Sequence, residues 1–323
     1  MRRTLILICC ILLLVTAAAS CAADQFVPPE TPQPQRIHEA PAATPEPPAI
    51  LNTIKDKNAD PGSIRFKLDA EMLDIWFPII ANADEAVFTF GDEVWLIDCG
   101  DKGMGQRGVK MMQDIGITKI DKLFISHPHH DHLGGLEATN EVIPVGEVYV
   151  SFPEDSTDTM VAAMEYARQA GIPVKTYKSG DVFSMGDGKV TFTFFSADDE
   201  TLDMNNNSMQ AMVEYGARRI LFTADMERQG QTVIMSRMDP EDLKADILKY
   251  PHHGKTGLLD EFYQAVSPSL AIVTNYYVDW GGVQYLHWKS VPILYTCAYD
   301  YYIHLRTEGT TWIVDSLPIT KVQ

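Results

Sequence analysis

The chain has 323 residues, of which 46% are hydrophobic, enough for one large globular domain or two modest ones. Its 44 acidic residues outnumber its 26 basic residues, and the formal net charge is −18. Strong binding to nucleic-acid duplexes needs a basic stripe, and none is visible, so we expect no such partner. An enzyme that holds phosphate through metal ions is not excluded, because the ions supply local positive charge.

The N-terminus has the pattern of a targeting segment. Met1-Arg2-Arg3 precedes an apolar run from Leu5 to about Ala19, as in a secretory signal. A membrane-spanning anchor is the alternative, but the run is short for a span of about 20 residues. The run ends in Ala-Ala-Ser-Cys, which resembles the lipobox of bacterial lipoproteins. We therefore expect a signal peptide at 1–20 and a lipid on Cys21 that anchors an extracytoplasmic protein to the membrane, with secretion as the alternative.

Residues 21–61 are predicted to form a tether. The stretch from Phe26 to Ala49 is dense in proline and poor in large apolar residues, so it cannot bury a core. His38 lies in this stretch and is expected to be solvated. The globular domain is predicted to occupy residues 62–323.

Strand and helix patterns alternate along that domain, which indicates an α/β fold with mixed sheets. Strands are predicted at 63–70, on both sides of a turn within 85–100, and at 122–127, 189–197, 209–216, 218–225, 245–250 and 270–275. Helices are predicted at 107–116, 157–172, 226–238 and 258–266. In the second helix, Thr157 or Asp158 is the expected N-cap and Gly171 the expected stop.

The most informative segment is SHPHHDHLGG, which directly follows a buried strand. His127 and His129 are two residues apart on extended chain, so their side chains point the same way. Asp131 and His132 follow after a turn. Imidazole and carboxylate groups are good ligands for divalent metals, and two pairs offset by a turn indicate two metal ions. A surface histidine cluster without a role is disfavoured, because the apolar strand delivers the segment to a fixed place.

Other residues of the segment have different expected roles. His130 occupies the variable position between the candidate ligands and is expected to face solvent or to support a ligand. Gly134 and Gly135 allow the backbone to pass close to the site. Elsewhere, His287 and His304 are expected to be structural.

The spacing His-x-His-x-Asp-His resembles the signature of the metallo-β-lactamase superfamily, and the resemblance covers nearly all of 62–323. VWLIDCG resembles the first motif of that superfamily, which implies that Asp98 supports the metal loop without binding metal. LFTADME resembles the motif of an aspartate that bridges both metals, here Asp225, although this residue is also a candidate helix N-cap. ADILKYPHHG resembles the final histidine motif.

A finer resemblance points to one branch of the superfamily. NNNSMQAMVEYGARRILFTADME followed by LKYPHHG is similar to the hydrolase domain of ComEC-type DNA-uptake proteins and to teichoic-acid phosphorylcholine esterases. In that branch an Asn-Asn-Ser stretch, here Asn206, Asn207 and Ser208, precedes the bridging aspartate. These side chains hold the metal loop or a substrate oxygen, or else form an ordinary polar turn.

The resemblance to this branch also implies roles for His252, His253 and Lys255. Similarity to the esterases favours His253 as a metal ligand and His252 as a residue that faces the substrate, but the sequence leaves the order open. Lys255 stands where the branch often has serine, and it either contacts an anionic substrate or is solvated.

The resemblance implies a four-layer αβ/βα sandwich, the metallo-β-lactamase fold, with two divalent ions, zinc or alternatively manganese. The implied ligands are His127, His129 and Asp225 for metal one, and Asp131, His132, His253 and Asp225 for metal two. A hydroxide that bridges the metals would attack the substrate, with Asp131 and His252 as catalytic residues.

The branch favours hydrolysis of a phosphodiester outside the cytoplasm. Hydrolysis of a thioester or lactone is one alternative, and a non-catalytic surface lipoprotein that binds a ligand through the same fold is another. A β-lactamase is disfavoured, because the middle histidine typical of that activity is missing. The complete DNA-uptake role is also disfavoured, because the chain lacks the many membrane spans of a channel. Whether Cys99 and Cys297 form a disulfide is open from the sequence.

Overall fold

The computed structural model describes residues 50–53, 71–276, 281–298 and 301–318. The predicted signal peptide, Cys21, His38, most of the tether and the predicted strand at 63–70 lie outside the described residues. Within the described part of the chain, no helix is long and apolar enough to cross a membrane.

Strands within the described residues form two mixed sheets. The strands are Ile50–Thr53 (β1), Leu73–Phe77 (β2), Glu85–Phe90 (β3), Glu93–Cys99 (β4), Lys122–Ile125 (β5), Val148–Val150 (β6), Val174–Thr176 (β7), Val182–Met185 (β8), Val190–Phe195 (β9), Gln210–Tyr215 (β10), Arg218–Phe222 (β11), Ile247–Lys249 (β12), Leu270–Val273 (β13), Ile293–Tyr295 (β14), Tyr301–Thr307 (β15) and Trp312–Pro318 (β16). Sheet one has the order β1-β16-β15-β2-β3-β4-β5-β6-β7, and sheet two has the order β14-β13-β12-β11-β10-β9-β8.

Helices connect many of these strands. They are Gly105–Asp114 (α1), His130–Leu133 (α2), Leu136–Asn140 (α3), Asp158–Ala170 (α4), Arg228–Arg237 (α5), Pro240–Leu243 (α6), Asp260–Val266 (α7) and Gln284–Trp288 (α8), and a 3₁₀ turn spans Pro251–Gly254. The predicted capping of α4 is confirmed. The Thr157 side chain accepts a hydrogen bond from the Met160 N–H, and Gly171 ends the helix at φ 72°.

Three apolar clusters separate the layers. Between the sheets, Phe88 contacts Phe192 and Phe222 with ring centroids 5.0 and 5.2 Å apart. A second cluster packs α1, α3 and α4 on the outer face of sheet one, and a third packs α5, α7 and α8 on the outer face of sheet two. The order helix, sheet, sheet, helix confirms the predicted four-layer αβ/βα sandwich.

β1 is a short strand at the edge of sheet one. Its four residues pair in parallel with β16, from Ile50 opposite Trp312 to Thr53 opposite Asp315. These four residues lie within 21–61, the range predicted as a tether, and they pair with the edge of sheet one. The proline-rich composition ends before them, and Ile-Leu-Asn-Thr is a sequence that can add to the edge of a sheet through main-chain hydrogen bonds.

The fold brings chemically active loops to one edge. β4 and β5 are parallel neighbours in sheet one, and β11 and β12 are parallel neighbours in sheet two. The carboxyl ends of parallel neighbours lie at the same edge of a sheet, where loops form binding sites. The His-x-His-x-Asp-His loop follows β5, Asp225 follows β11, and His252 and His253 follow β12.

Candidate metal centre

Close backbone packing fixes the loop that carries the first histidines. A Cβ atom on Gly135 would lie 1.9 Å from the carbonyl oxygen of Cys99, and one on Gly134 would lie 2.3 Å from that of His130. Only glycine therefore fits at these two positions, as the sequence predicted. On the other side of the loop, the Thr157 hydroxyl donates to the carbonyl oxygen of Pro128 at 2.8 Å.

The loops from sheet two adopt unusual backbone conformations. Ala224, His252 and His253 have φ values of 44°, 48° and 50°. Residues other than glycine rarely adopt this left-handed region, and such strain is concentrated at functional sites. In this conformation both consecutive histidines direct their rings toward Asp225.

The Asp225 carboxylate is the point on which the histidines converge. Its Oδ1 lies 3.2 Å from Nε2 of His132 and 3.3 Å from Nε2 of His253. Its Oδ2 lies 3.4 Å from Nε2 of His252 and 3.9 Å from Nε2 of His127. One carboxylate therefore faces two separate groups of imidazoles, as a bridging ligand must. α5 begins after Glu227, so the structure does not place Asp225 at the N-cap.

Asp131 and His129 complete the two groups. Nε2 of His253 lies 3.4 Å from Oδ2 of Asp131, on the Oδ1 side of Asp225. On the other side, Nε2 of His127 lies 3.0 Å from Nδ1 of His129. The structure thus brings together all six residues that the sequence singled out as ligands. In the tightest group, Asp131, His132, Asp225 and His253 offer ligand atoms that all lie within 4.8 Å of one another.

Buried polar atoms that make no hydrogen bond show that this group fits a metal ion. Nε2 of His132, Oδ1 of Asp225 and Nε2 of His253 are buried, and none makes a hydrogen bond within the described structure. They contact one another only as ion pairs, and buried polar groups that lack a hydrogen bond are costly, so an ion at their meeting point would satisfy all three. Nitrogen and carboxylate donors of this kind suit zinc or manganese.

Electrostatic coupling in the group is strong. Burial opposes charge on each residue, yet His253 and His132 hold the pKa of Asp225 well below its usual range. Although burial lowers it, the pKa of His253 is raised to about 9 by Asp225 and Asp84. The pKa of His132 is likewise raised well above its ordinary value by Asp225 and Asp98. Without metal, these imidazoles supply the positive charge that the carboxylates require.

The other pair of imidazoles differs. Burial and the neighbouring His132 lower the pKa of His127 well below its ordinary value. Burial also lowers the pKa of His129. These two histidines are therefore neutral at pH 7, which is the form that binds a metal.

Asp98 supports His132, as its position in the strand motif implied. Its Oδ2 accepts a hydrogen bond from Nδ1 of His132 at 2.7 Å, and the backbone N–H and hydroxyl of Ser126 both donate to its carboxylate at 2.8 Å. This contact leaves Nε2 of His132 free to face Asp225 and a metal.

Sequence reasoning missed Asp84, Lys249 and Thr274. Asp84 Oδ1 accepts from Nδ1 of His253 at 3.0 Å and from the Thr274 hydroxyl at 2.5 Å, and Oδ2 pairs with the buried Lys249 ammonium group. Burial would raise the pKa of Asp84, but Lys249 and His253 hold it below its usual range. The sequence signals that could have indicated these residues are the Asp84-Glu85 pair at the start of an apolar strand and a lysine, Lys249, inside another apolar strand.

Glu227 was also missed, and it orients His252. Nδ1 of His252 lies 2.9 Å from Oε1 of Glu227, while Nε2 faces Asp225. The His252 side chain is 18% exposed, whereas that of His253 is fully buried. His252 is therefore the more accessible of the two, which fits the predicted order.

The Asn206–Ser208 stretch lies in the loop before β10. Asn206 Oδ1 accepts from the Gly230 N–H in α5, and the Asn207 amide donates to the carbonyl oxygens of Asp199 and Leu202. The Ser208 side chain is buried. These contacts favour a role in holding the loop. The neighbouring Asn205 lies beside the His129 ring.

The remaining candidates lie at the margin of the centre or away from it. The His130 side chain is 76% exposed, so it faces solvent, and Lys255 is exposed as well. His304 is buried in sheet one, where it stacks on Trp76 and binds Asp74. His287 lies on α8 near Tyr295. Cys99 and Cys297 are both free thiols.

Comparison with known proteins identifies the family. A sequence model described as Metallo-beta-lactamase superfamily matches residues 86–266, more than half of the chain. The chain belongs to the metallo-beta-lactamase superfamily. This superfamily also includes Ribonuclease Z of Trichodesmium erythraeum (strain IMS101), which is 28% identical over 92 residues, 27% of this chain and 28% of the relative.

Two bacterial competence proteins support the predicted similarity to ComEC-type proteins within the metallo-beta-lactamase superfamily. ComE operon protein 3 of Bacillus subtilis (strain 168) is 31% identical over 167 residues, 49% of this chain and 20% of the relative. Competence protein ComA of Neisseria gonorrhoeae is 27% identical over 186 residues, 57% of this chain and 24% of the relative. The chain therefore spans no more than a quarter of the length of these two proteins.

Among solved structures, the metallo-beta-lactamase fold protein YhfI of Bacillus subtilis is similar, with 14% sequence identity and a TM-score of 0.44. The match covers 69% of this chain and 95% of that protein.

Proposed function

We propose that this protein is a metal-dependent hydrolase with a dinuclear centre that acts on a phosphodiester outside the cytoplasm. The observation that carries the proposal is the position of Asp225, whose two carboxylate oxygens face two different groups of histidines. The proposed ligands are His127, His129 and Asp225 for metal one, and Asp131, His132, His253 and Asp225 for metal two.

Bound divalent ions would act as Lewis acids and lower the pKa of water toward neutrality. Residues of the chain itself perform the other tasks. Asp131 and Asp225 would hold the ions. Asp98 and Asp84 hold the Nδ1 atoms of His132 and His253, so that both rings present Nε2 to the centre.

His252 is proposed to contact the leaving-group oxygen of the substrate. Glu227 holds its Nδ1, and the partly exposed ring directs Nε2 toward the centre. With Nδ1–H donated to Glu227, the imidazolium form of this ring can donate its Nε2 proton as the bond to the leaving group breaks, which leaves the neutral imidazole. Lys255 is exposed next to this loop and is proposed to contact the anionic part of the substrate.

Three lines of support favour a phosphodiester. The branch resemblance includes esterases of phosphorylcholine, the sequence is similar to two competence proteins, and a ribonuclease shares the superfamily. The proposed signal peptide at 1–20 and lipid on Cys21 would anchor the enzyme on the outer side of the membrane. Hydrolysis of a thioester or lactone remains the second candidate, and non-catalytic ligand binding the third.

A substrate panel tests the proposed reaction. The full-length protein, purified in detergent and loaded with zinc or manganese, would be assayed on bis(p-nitrophenyl) phosphate, p-nitrophenyl phosphorylcholine, a chromogenic thioester and a lactone. We expect turnover of a diester that a chelator abolishes. Turnover of only the thioester or lactone would overturn the phosphodiester assignment. A metal-loaded protein inactive on all four would instead support a binding role.

A further inference from the structure

Asp84 connects the ligand loops of the two sheets. It directly precedes β3, and its backbone N–H donates to the carbonyl oxygen of Asp131 at 3.0 Å. Its side-chain Oδ1 accepts from Nδ1 of His253 at 3.0 Å. One residue therefore contacts a candidate ligand from sheet one and a candidate ligand from sheet two. The position of Asp84 sets the distance between these ligands.

Lys249 in turn fixes Asp84. It is the last residue of β12 and is 2% exposed, and its ammonium group pairs with Oδ2 of Asp84. The Thr274 hydroxyl donates to Oδ1 at 2.5 Å. A buried ammonium group is costly unless it is paired, so this contact is strongly maintained. Both carboxylate oxygens of Asp84 are thus fixed by groups from sheet two.

The carboxylates that hold His132 and His253 have different partners. Asp98 holds Nδ1 of His132, and the other donors to Asp98 are the neutral N–H and hydroxyl of Ser126. The carboxylate that holds His253 is Asp84, and it pairs with the ammonium group of Lys249. Asp84 and Asp98 lie close enough to His132 that their ligand atoms fall within 4.8 Å of one another. The Lys249 ammonium group therefore lies beside the carboxylate that supports His253.

We propose that Lys249 is a positioning residue of the metal centre, because its ammonium group holds Asp84 in the orientation that presents Nε2 of His253 to metal two. This inference rests on the proposed function, which places a metal at His132 and His253. Lys249 touches neither the substrate nor the metal in this account. It acts through Asp84 alone, so its effect must disappear when Asp84 can no longer act.

A double-mutant cycle tests this dependence. The full-length wild type, Lys249→Met, Asp84→Asn and the double variant would be titrated with cobalt(II) in competition with a chelator. We expect each single variant to bind the second cobalt about 10–100-fold more weakly, the usual effect of losing a residue that supports a ligand. The double variant should be no weaker than Asp84→Asn. The visible spectrum of the second cobalt should change in both single variants.

Matched controls separate this role from a general loss of stability. Lys119→Met removes the lysine of an exposed ion pair with Asp121 and should leave both cobalt affinities unchanged. If Lys249→Met does not fold, Lys249→Gln takes its place in the cycle with the same expectations. The inference would be overturned if the two losses of affinity for the second cobalt added in the double variant. It would also be overturned if a Lys249 variant bound the second cobalt with unaltered affinity and spectrum. A wild type that binds no second cobalt would overturn the proposed centre itself.

Discussion

His252 and His253 are neighbours in the chain, yet their surroundings predict different functions. His253 is fully buried between Asp84, Asp131 and Asp225, whereas His252 is partly exposed. We expect His253→Ala to lose one metal per chain. His252→Ala should keep both metals but turn over a diester about 10²–10³-fold more slowly, a typical loss for a residue that transfers a proton. Metal content by mass spectrometry and the rate are measured together.

His130→Ala is the matched control for both variants. It removes an imidazole from the same segment, but one whose side chain is 76% exposed. Metal content and rate should remain at the wild-type level. Loss of a metal from His252→Ala would show that His252 is a ligand and would reverse the assignment of the two residues.

Glu85 is a buried carboxyl group whose oxygens make no hydrogen bond within the described structure. Burial raises its pKa from the ordinary value of 4.5 to about 8. Between these values the folded state binds more protons than the unfolded state, so stability falls as pH rises. Glu85→Gln should remove this dependence and stabilise the metal-free protein at pH 8 by roughly 2–4 kcal/mol, since a tenfold shift in a protonation equilibrium is worth about 1.4 kcal/mol.

Urea unfolding of the wild type and of Glu85→Gln at pH 5 and pH 8 checks this prediction. The two proteins should differ little at pH 5 and most at pH 8. Equal differences at both values would mean that Glu85 does not hold a proton in the folded state.

Some residues of the site could be predicted from the sequence, and others could not. The spacing of His127, His129, Asp131 and His132 within six positions was sufficient to predict a metal-binding segment. Asp84 could not be found in this way, because its contacts with Lys249 and His253 cross 165 and 169 positions of the chain. Such contacts depend on which strands become neighbours, and local spacing does not specify that.

At the scale of elements, the short α2–α3 segment depends on close contact with the end of β4. A Cβ atom at Gly135 would collide with the Cys99 carbonyl oxygen at 1.9 Å. We expect Gly135→Ala to lower the free energy of unfolding by about 2–4 kcal/mol, because backbone atoms must shift. It should also weaken metal binding, since the same segment carries Asp131 and His132.

Gly257→Ala is the control for this substitution. Its Cβ atom would meet only an Arg228 nitrogen at 3.7 Å, an ordinary contact. Thermal unfolding and metal titration of both variants would be compared. A Gly135→Ala protein as stable and as tightly metal-bound as Gly257→Ala would contradict the proposed packing.

Elements were predicted well where local signals were strong. The Thr157 cap and the Gly171 stop defined α4, and apolar runs defined the central strands. β1 was missed, because its four residues become a strand only through pairing with β16, about 260 positions away. The order of strands within each sheet is likewise a property of the assembled fold.

For the whole molecule, metal binding and protonation should be opposed. In the metal-free protein, Asp225 and Asp84 raise the pKa of His253 from 6.5 to about 9, despite burial. That proton must leave before a metal binds, so affinity should rise with pH up to about 9, by about tenfold per pH unit for each proton displaced. Calorimetry in buffers of different ionisation enthalpy would count the released protons. Binding without proton release would contradict this coupling.

The same shift predicts the stability of the metal-free protein. A raised histidine pKa contributes stability that is complete below pH 6.5 and is lost as pH rises through about 9. Metal-free protein should therefore become less stable across this interval, and added metal should reverse the trend. Unfolding in the Glu85→Gln background separates this effect from that of Glu85. A metal-free variant whose stability rises with pH would be inconsistent with the coupling.

The most direct test of the central claim is one titration of the metal-free, full-length protein with zinc or manganese, in which bound metal and turnover of bis(p-nitrophenyl) phosphate are measured on the same samples. We expect two ions per chain, with turnover that appears as the second ion binds. Asp131→Ala should remain folded, bind about one ion and lose turnover. A folded wild type that binds no metal, or an Asp131→Ala variant with normal metal content and normal turnover, would contradict the account.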